Sequence, residues 1–496
     1  MHLRVVTVAL TLLSLVGVGA LAPSPAAGGT ARPNIVVILT DDVPAMDDRL
    51  WSYMPTISEM FVNHGTSFTN FQGESPLCCP GRAGFLTGQH AFNNGVTRND
   101  ARLFNPTMTI ATALHDIGYR TFLAGKYFNL YNLIAPTVPP GWDGFHAYQG
   151  GYYNYDLWNN GNSTPEYHGT SAKDYSTDVI RSKALLELRR APAGQPLFAW
   201  IAPFAPHSPI TPAPRYLDDP RCNSIPAWDP ANYNEPDVSD KPAYVQSRPL
   251  LAAPAYDLVK TCRTMLAVDD LVRDVRDELD RQGRLDNTLF ILSTDNGMNA
   301  GAHRLLGKST PYATRLPFYV SWPSVLGIAR QRIDEAVANI DLAPTICDLV
   351  NCRLGPYPTP PPDGQQTPDG VSFLSLLLGR SDSLNRDALI QDLADPGPDG
   401  AVPDWYAIMT TGASQLASVG CSSANRQECR WHYVEYDTGE KELYDVSGGP
   451  CGSWHQNTPG DPCELQNLAG NGAYKAIRNT LAVRLHELEN QKGAGT

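Results

Sequence analysis

The chain has 496 residues, 42% of them hydrophobic, with 51 acidic side chains against 38 basic ones and a formal net charge of −13. That composition excludes a disordered or fibrous chain, and the length leaves room for one large domain plus a smaller one. The acidic balance excludes a nucleic-acid surface, which needs clustered Lys and Arg, so an anionic substrate has to meet a local basic pocket.

The opening "MHLRVVTVALTLLSLVGVGALAPSPAAGG" has a basic tip, an apolar run and a small-residue end. It reads as a secretory signal peptide over residues 1–27, with cleavage near Ala22 to Ala27. A membrane anchor is the competing reading, but the run is short for a span of about 20 residues. No later segment is apolar enough to cross a bilayer, and no twin arginine is present, so the protein is expected to be secreted or extracytoplasmic by the general route.

Next comes "PNIVVILTDD", a short apolar strand that ends on Asp41 and Asp42. The stretch "PLCCPGRAGFLTG" then sets the adjacent Cys78 and Cys79, with Pro80 and Arg82, at the opening of a predicted helix. Residues 131–170 and 208–255 are rich in Pro, Gly, Tyr and Asn with little periodicity, as expected of long ordered loops that shape a substrate site. In "AVDDLVRDVRDELDRQG", Val268, Leu271, Val272, Val275 and Leu279 share one helical face and Gly283 is the stop. The strand "NTLFILSTDNG" repeats the first design, ending on Asp295 and Asn296. Strands and helices alternate, which predicts an α/β fold with a mostly parallel sheet sandwiched by helices and polar residues at the strands' carboxyl ends.

The Pro-rich "GPYPTPPPDGQQTPDG" suggests a boundary, but "VSFLSLLLG" still reads as a helix of the first domain. The large domain is therefore expected over 33–395. A smaller sheet-plus-helix unit is expected over 396–496, from the strands "WYAIMTTG" and "RWHYVEYD" and the helix "YKAIRNTLAVRLHELEN". Ten cysteines in an exported chain predict disulfides, with Cys347/Cys352, Cys421/Cys429 and Cys451/Cys463 as plausible local pairs. Conversion of Cys78 would leave an odd thiol, most simply Cys79.

Asp41, Asp42, Asp295 and Asn296 together offer oxygen ligands from two strand ends to one hard divalent cation, Ca²⁺ or Mg²⁺. Each pair alone is more often a turn or helix cap than a metal site. Cys78 beside such a site is a mismatch, because a soft thiolate suits a hard cation poorly. An oxygen derived from it would suit, so the vicinal cysteines raise three readings: a packing accident, a strained disulfide, or a reactive centre reached by modification.

"CCPGRAGFLTG" resembles the sulfatase signature, CxPxR followed by a spacer and LTG, in which the first cysteine is oxidised to formylglycine. The motifs "PNIVVILTDD", "TFLAGKYFN", "GWDGF", "APHSPITP", "NYNEPDVSDKP", "TDNG", "IDLAPT", and "KELYDV" followed by "ELQNLAG" stand in the order seen in sulfatases. The double cysteine and "GKY" are similar to the branch of N-acetylglucosamine-6-sulfatases and heparan 6-O-sulfatases. The resemblance implies an alkaline-phosphatase-like fold, formylglycine at Cys78, and a calcium held by Asp41, Asp42, Asp295, Asn296 and the modified residue 78. It implies a basic shell of Arg82, Lys126, His207 and Lys308 around the sulfate, and a formylglycine-generating enzyme as maturation partner. Gly81 departs from the usual Ser of CxPSR, and Phe128 stands where many arylsulfatases carry a second histidine. His303 in "AGAHRLLGK" is a weaker candidate, for which a structural role is expected.

In the implied mechanism the hydrated aldehyde attacks sulfur in line, Arg82, Lys126, Lys308 and the metal stabilise the oxygens, and His207 or Lys308 protonates the departing alcohol. The substrate is expected to be a sulfated sugar or an aryl sulfate, since Tyr/Asn/Trp-rich loops suit either ring. Two rivals share the scaffold: a phosphate- or phosphonate-ester hydrolase, and an inactive protein that binds sulfated glycans.

Overall fold

A computed structural model describes residues 32–46, 48–355, 368–393, 402–412, 416, 430–453 and 460–490. The expected signal peptide, most of the Pro-rich stretch and the Cys421/Cys429 pair lie outside them. From Pro33 onward the chain forms one compact unit.

Its centre is a ten-stranded sheet. Asn34–Thr40 lies in the middle, parallel to Leu197–Ala202 on one side and to Thr288–Thr294 on the other. Arg120–Lys126 and Gly144–Tyr148 continue the parallel run beyond Leu197–Ala202. The flanks turn antiparallel: Phe318–Ser321 runs against Thr288–Thr294, and Tyr155–Asn159 against Gly144–Tyr148. The sheet is thus mixed, with a continuous parallel run from Thr288–Thr294 to Gly144–Tyr148 and one further parallel pair, Thr66–Phe68 with Gln331–Ile333, at its edge.

The first strand is buried along its whole length because both faces are covered. Ile35, Val37 and Leu39 enter one apolar core and Val36 and Ile38 the other, as the two-residue alternation of a strand requires. Helices Cys78–Thr87, Ile110–Asp116 and Leu342–Val350 cover the first core. Helices Ser176–Arg190 and Leu258–Arg281 cover the second, the latter through Val268, Leu271, Val272, Val275 and Leu279. Gly283 follows its end at φ 67°, and the amides of Gly283 and Arg284 close onto the carbonyls of Asp280 and Leu279. The helix starts well upstream of the periodic stretch, where Asp257 accepts from the Lys260 amide and the unexpected disulfide Cys222–Cys262 fastens its first turns to the 208–255 loop.

Residues 131–170 are not the long loop the sequence suggested. They hold Gly144–Tyr148, Tyr155–Asn159 and Glu166–His168, which extend the main sheet: the first pairs parallel with Arg120–Lys126, and the other two each pair antiparallel with the strand before them. Residues 208–255 contain only short turns and the four-residue helix Ala243–Gln246.

The small antiparallel sheet runs in the order Ala388–Leu393, Trp405–Thr410, Trp431–Tyr436, Lys441–Asp445. It therefore begins ahead of the boundary placed at 395. Helix Lys475–Glu489 covers one face through Ile477, Leu481 and Leu485. The other face meets Leu77, Val238, Tyr244 and Leu305 of the large part. Polar ties cross the same seam: the Trp405 indole donates to the Ser309 carbonyl at 3.0 Å, and buried Glu442 accepts hydroxyls from Tyr312, Tyr436 and Tyr444. The disulfides Cys347–Cys352 and Cys451–Cys463 are present as the spacing suggested.

Candidate active site

Thr40 and Thr294 are partners in register, so the chain segments that leave these two strands carry Asp41–Asp42 and Asp295–Asn296 side by side. Lys126 is the last residue of its strand, and the segment after Ala202 carries His207 to the same edge. Helix Cys78–Thr87 brings Cys78 and Arg82 in from one side, and the 299–310 turn brings Lys308 from another. Every site residue named from the sequence, His303 excepted, converges here.

The cluster is an alternation of acids and bases. Lys126 Nζ lies 2.6 Å from Asp41 Oδ2. Lys308 Nζ lies 2.6 Å from Asp42 Oδ1 and 3.0 Å from Cys78 Sγ. Arg82 meets Asp295 Oδ2 through Nε and Nη2, both at 3.0 Å, while its Nη1 donates to the Lys126 carbonyl. The Asn296 side-chain amide donates to Asp42 Oδ1 at 2.7 Å, and its backbone amide donates to Asp295 Oδ1 at 2.9 Å. Asp42 adopts φ 61°, a conformation L-residues rarely take, which belongs to its role in packing two acids onto one strand end. At the mouth, His207 is 26% exposed with Nε2 3.3 Å from Asp42 Oδ2, and its Nδ1 faces the Ser208 carbonyl at 2.6 Å.

Burial pushes all three carboxyls up, and their neighbours decide the outcome. Arg82, Lys126 and Lys308 hold Asp295 far below the usual range, and Lys308 with His207 lowers Asp42. Asp41 stays raised, by burial and then by the charge of Asp295 beside it. Burial alone would lower Lys126 and Lys308, but Asp41 and Asp42 respectively keep both above the ordinary lysine value. The Cys78 thiol is pushed up to about 11, by burial first, in spite of the two lysines. It is a protonated, weakly reactive thiol. Cys79 goes up to about 12 by burial and by Cys78; it forms no vicinal disulfide, and its Sγ accepts from the Asn129 amide at 3.2 Å.

Gly81 explains the departure from CxPSR in physical terms. A Cβ there would lie 2.1 Å from the Asp295 carbonyl oxygen, so the helix rests directly on the second acid-bearing segment. Gly81→Ser is expected to cost about 1–3 kcal/mol of stability and to move Asp295; thermal melting of the variant against the parent chain checks this.

His303 is fully buried, with Nδ1 2.6 Å from Glu235 Oε2 and its ring against Tyr312, as a structural role requires. Phe128 packs among Phe104 and Tyr127 in the apolar core. Two supporting residues escaped the sequence reading. Phe204 lies 5.6 Å from Lys126 Nζ and stacks on His207 at 4.5 Å, in space that a Cβ at Gly150 would fill. Asn299 holds the Gly307 carbonyl with its backbone and side-chain amides and accepts from Thr310, bracketing Lys308. The only trace of Phe204 in the sequence is an aromatic three residues ahead of His207; Asn299 leaves none.

The family model described as Sulfatase matches residues 33–352. The extracellular sulfatase SULF-1 homolog of Drosophila melanogaster is 34% identical over 379 residues, 71% of this chain, which spans only 32% of that longer protein. The N-acetylglucosamine-6-sulfatase of Capra hircus is 31% identical over 493 residues, covering 91% of this chain and 82% of that one. A solved structure of a protein in complex with its substrate D-glucosamine-2-N,6-O-disulfate superposes with a TM-score of 0.69 at 22% identity, over 93% of this chain and 98% of that one. The architecture is therefore the alkaline-phosphatase-like one expected from the sequence. On a family match over residues 33–352 and a relative at 31% identity of which 82% is covered, the chain belongs to the sulfatase family.

Proposed function

We propose that this chain, a sulfuric ester hydrolase by family, removes sulfate from a sulfated sugar with formylglycine at position 78 and a calcium ion held by Asp41, Asp42, Asp295 and Asn296. The observation that carries the reading is the position of Cys78 Sγ, 3.0 Å from Lys308 Nζ and 3.9 Å from Asp41 Oδ1, inside a nest of three buried carboxylates. Carboxylates this close repel one another, as the raised Asp41 shows, and a hard cation relieves that repulsion. Asp41, Asp42, Cys78 and His207 can each direct one ligand atom to within 4.8 Å of the others. The donors are oxygens apart from one sulfur and one imidazole nitrogen, which fits calcium once residue 78 presents oxygen, and magnesium is a possible substitute.

Formylglycine would supply an oxygen nucleophile that an unreactive thiol cannot, and calcium would supply charge neutralisation at the sulfuryl oxygens. The chain's own residues do the rest. Arg82, Lys126 and Lys308 are cations held in place by Asp295, Asp41 and Asp42 around residue 78, where negative charge would accumulate during transfer. Of these three cations, Lys308 is the one that hydrogen-bonds to the residue-78 side chain, so it steadies the nucleophile. His207 sits at the mouth, where the sugar oxygen departs; with Nδ1 engaged by the Ser208 carbonyl, its Nε2 is the atom that passes a proton to that oxygen. Phe204 stacks beneath the ring and fixes its aim.

A sugar substrate is favoured by the relatives named for N-acetylglucosamine 6-sulfate and by the disulfated glucosamine bound to a structural neighbour. The leader segment, the disulfides and the relatives named as extracellular support secretion, and no helix among the described residues is long and apolar enough to cross a membrane. Maturation would need a formylglycine-generating enzyme. Protein made with such a system and loaded with calcium is expected to hydrolyse glucosamine 6-sulfate or 6-sulfated heparan fragments. Its kcat/KM for an aryl sulfate should exceed that for the matched phosphate ester; preference for the phosphate ester would put the phosphatase reading ahead.

A further inference from the structure

Apart from the catalytic cluster, a cavity of about 130 Å³ lies between the large sheet's loops and the small sheet. Pro44 and Met298, each two residues beyond a proposed metal ligand, form its near wall; Trp228, Arg315, Arg430, His432 and the carboxylate of Glu464 are among the residues that line the rest. Arg430 and His432 are two apart at the start of strand Trp431–Tyr436, so their side chains leave the same face.

Both carry a buried nitrogen without a partner: Arg430 Nε and His432 Nε2. His432 is only 1% exposed, and its other nitrogen, Nδ1, lies 2.5 Å from Glu464 Oε1. The imidazole is thus anchored from behind by a carboxylate, which fixes the ring and turns Nε2 away from Glu464. No carboxylate among the described residues pairs with Arg430; Glu335 and Asp334 act on it only through space, while burial lowers its pKa. Buried polar nitrogens without partners call for an explanation, and an anion held beside the Arg430 guanidinium supplies one.

We infer that this cavity is a subsite for an anionic substituent, a sulfate or a carboxylate, carried by the same saccharide whose ester is cleaved beside Cys78. The inference rests on the function proposed above. The cavity has room for an anionic group, and Pro44 and Met298 place its near wall two residues from the proposed metal ligands Asp42 and Asn296.

The test separates the subsite from the reaction. The full chain carrying Cys78→Ala, which cannot turn over, is titrated calorimetrically with glucosamine 6-sulfate, with glucosamine 2-N,6-O-disulfate and with a 6-sulfated disaccharide that bears a uronate. At least one doubly anionic probe is expected to bind about tenfold or more tightly than the monosulfate, and which one does so tells sulfate from carboxylate. Adding Arg430→Gln or His432→Gln should erase that preference and leave affinity for the monosulfate unchanged. Equal affinity for all three probes, or a preference that survives both substitutions, overturns the subsite. Either variant alone suffices if the other fails to fold, as judged by its melting curve. Failure of the modified parent enzyme to hydrolyse any sulfate ester would instead overturn the catalytic reading, and the binding titration is independent of it.

Discussion

Cys78→Ser is expected to lower turnover of a sulfate ester by roughly 10³-fold or more while leaving substrate binding nearly intact. Serine keeps one hydroxyl within reach of Lys308, so transfer of the sulfuryl group to it is still possible, slowly. It lacks the second hydroxyl that lets a hydrated aldehyde expel sulfate, and a sulfated serine therefore has no route back. The variant should accumulate a covalent adduct with the mass of one SO₃ group, whereas Cys78→Ala should bind and form none. Intact-mass measurement after incubation with an aryl sulfate reads both outcomes. Turnover of Cys78→Ser at the rate of modified enzyme would show that the reaction does not need an aldehyde.

Asp295→Ala is expected to be the most disruptive single change in the cluster. Asp295 meets two nitrogens of Arg82 and accepts from the backbone amides of Asp42 and Asn296. Its loss leaves a guanidinium that is 1% exposed with only Asp41, at 3.5 Å, for a counter-charge. Breaking a buried pair from one side costs about 3–5 kcal/mol, and bound calcium should fall with it. Asp295→Asn keeps the shape, so it should fold better than the alanine variant while still losing metal. Because the folded state depresses the Asp295 pKa, its charge contributes stability above the ordinary aspartate value of about 3.9 and loses that share as pH falls towards the folded value. The asparagine variant should therefore show a shallower acid limb in its stability profile. Metal analysis and acid melting of the two variants check these outcomes; full calcium occupancy in both would remove Asp295 from the ligand set.

The two acid-ended strands were legible in the sequence because a strand buried on both faces reads as a continuous apolar run, and the polar residues at its end stand out. Cys78, Arg82, Lys126, His207 and Lys308 were legible only as a set, through motif order, since each alone is an ordinary helix or loop residue. The short strands in 131–170 were not legible. Their Tyr, His and Asn residues form strands because a neighbouring strand is already there, and nothing local announces the pairing. The same holds for Phe204, which serves the site through packing, and for Asn299, whose amide holds a turn rather than touching the catalytic cluster. The start of the 258–281 helix was hidden because its first turns are held by a disulfide to a loop 40 residues away in sequence.

The seam between the two sheets bears on how this protein can change. The Ser309 carbonyl that receives the Trp405 indole belongs to the residue after Lys308, and Tyr312, four residues after it, is fastened to Glu442 of the small sheet. The carboxy-terminal strands are consequently not an exchangeable module appended to a finished enzyme. A lineage that swapped or trimmed them would have to rebuild the turn that delivers a lysine to residue 78, so this piece of the chain inherits the constraints of the active site although none of its described residues joins the catalytic cluster.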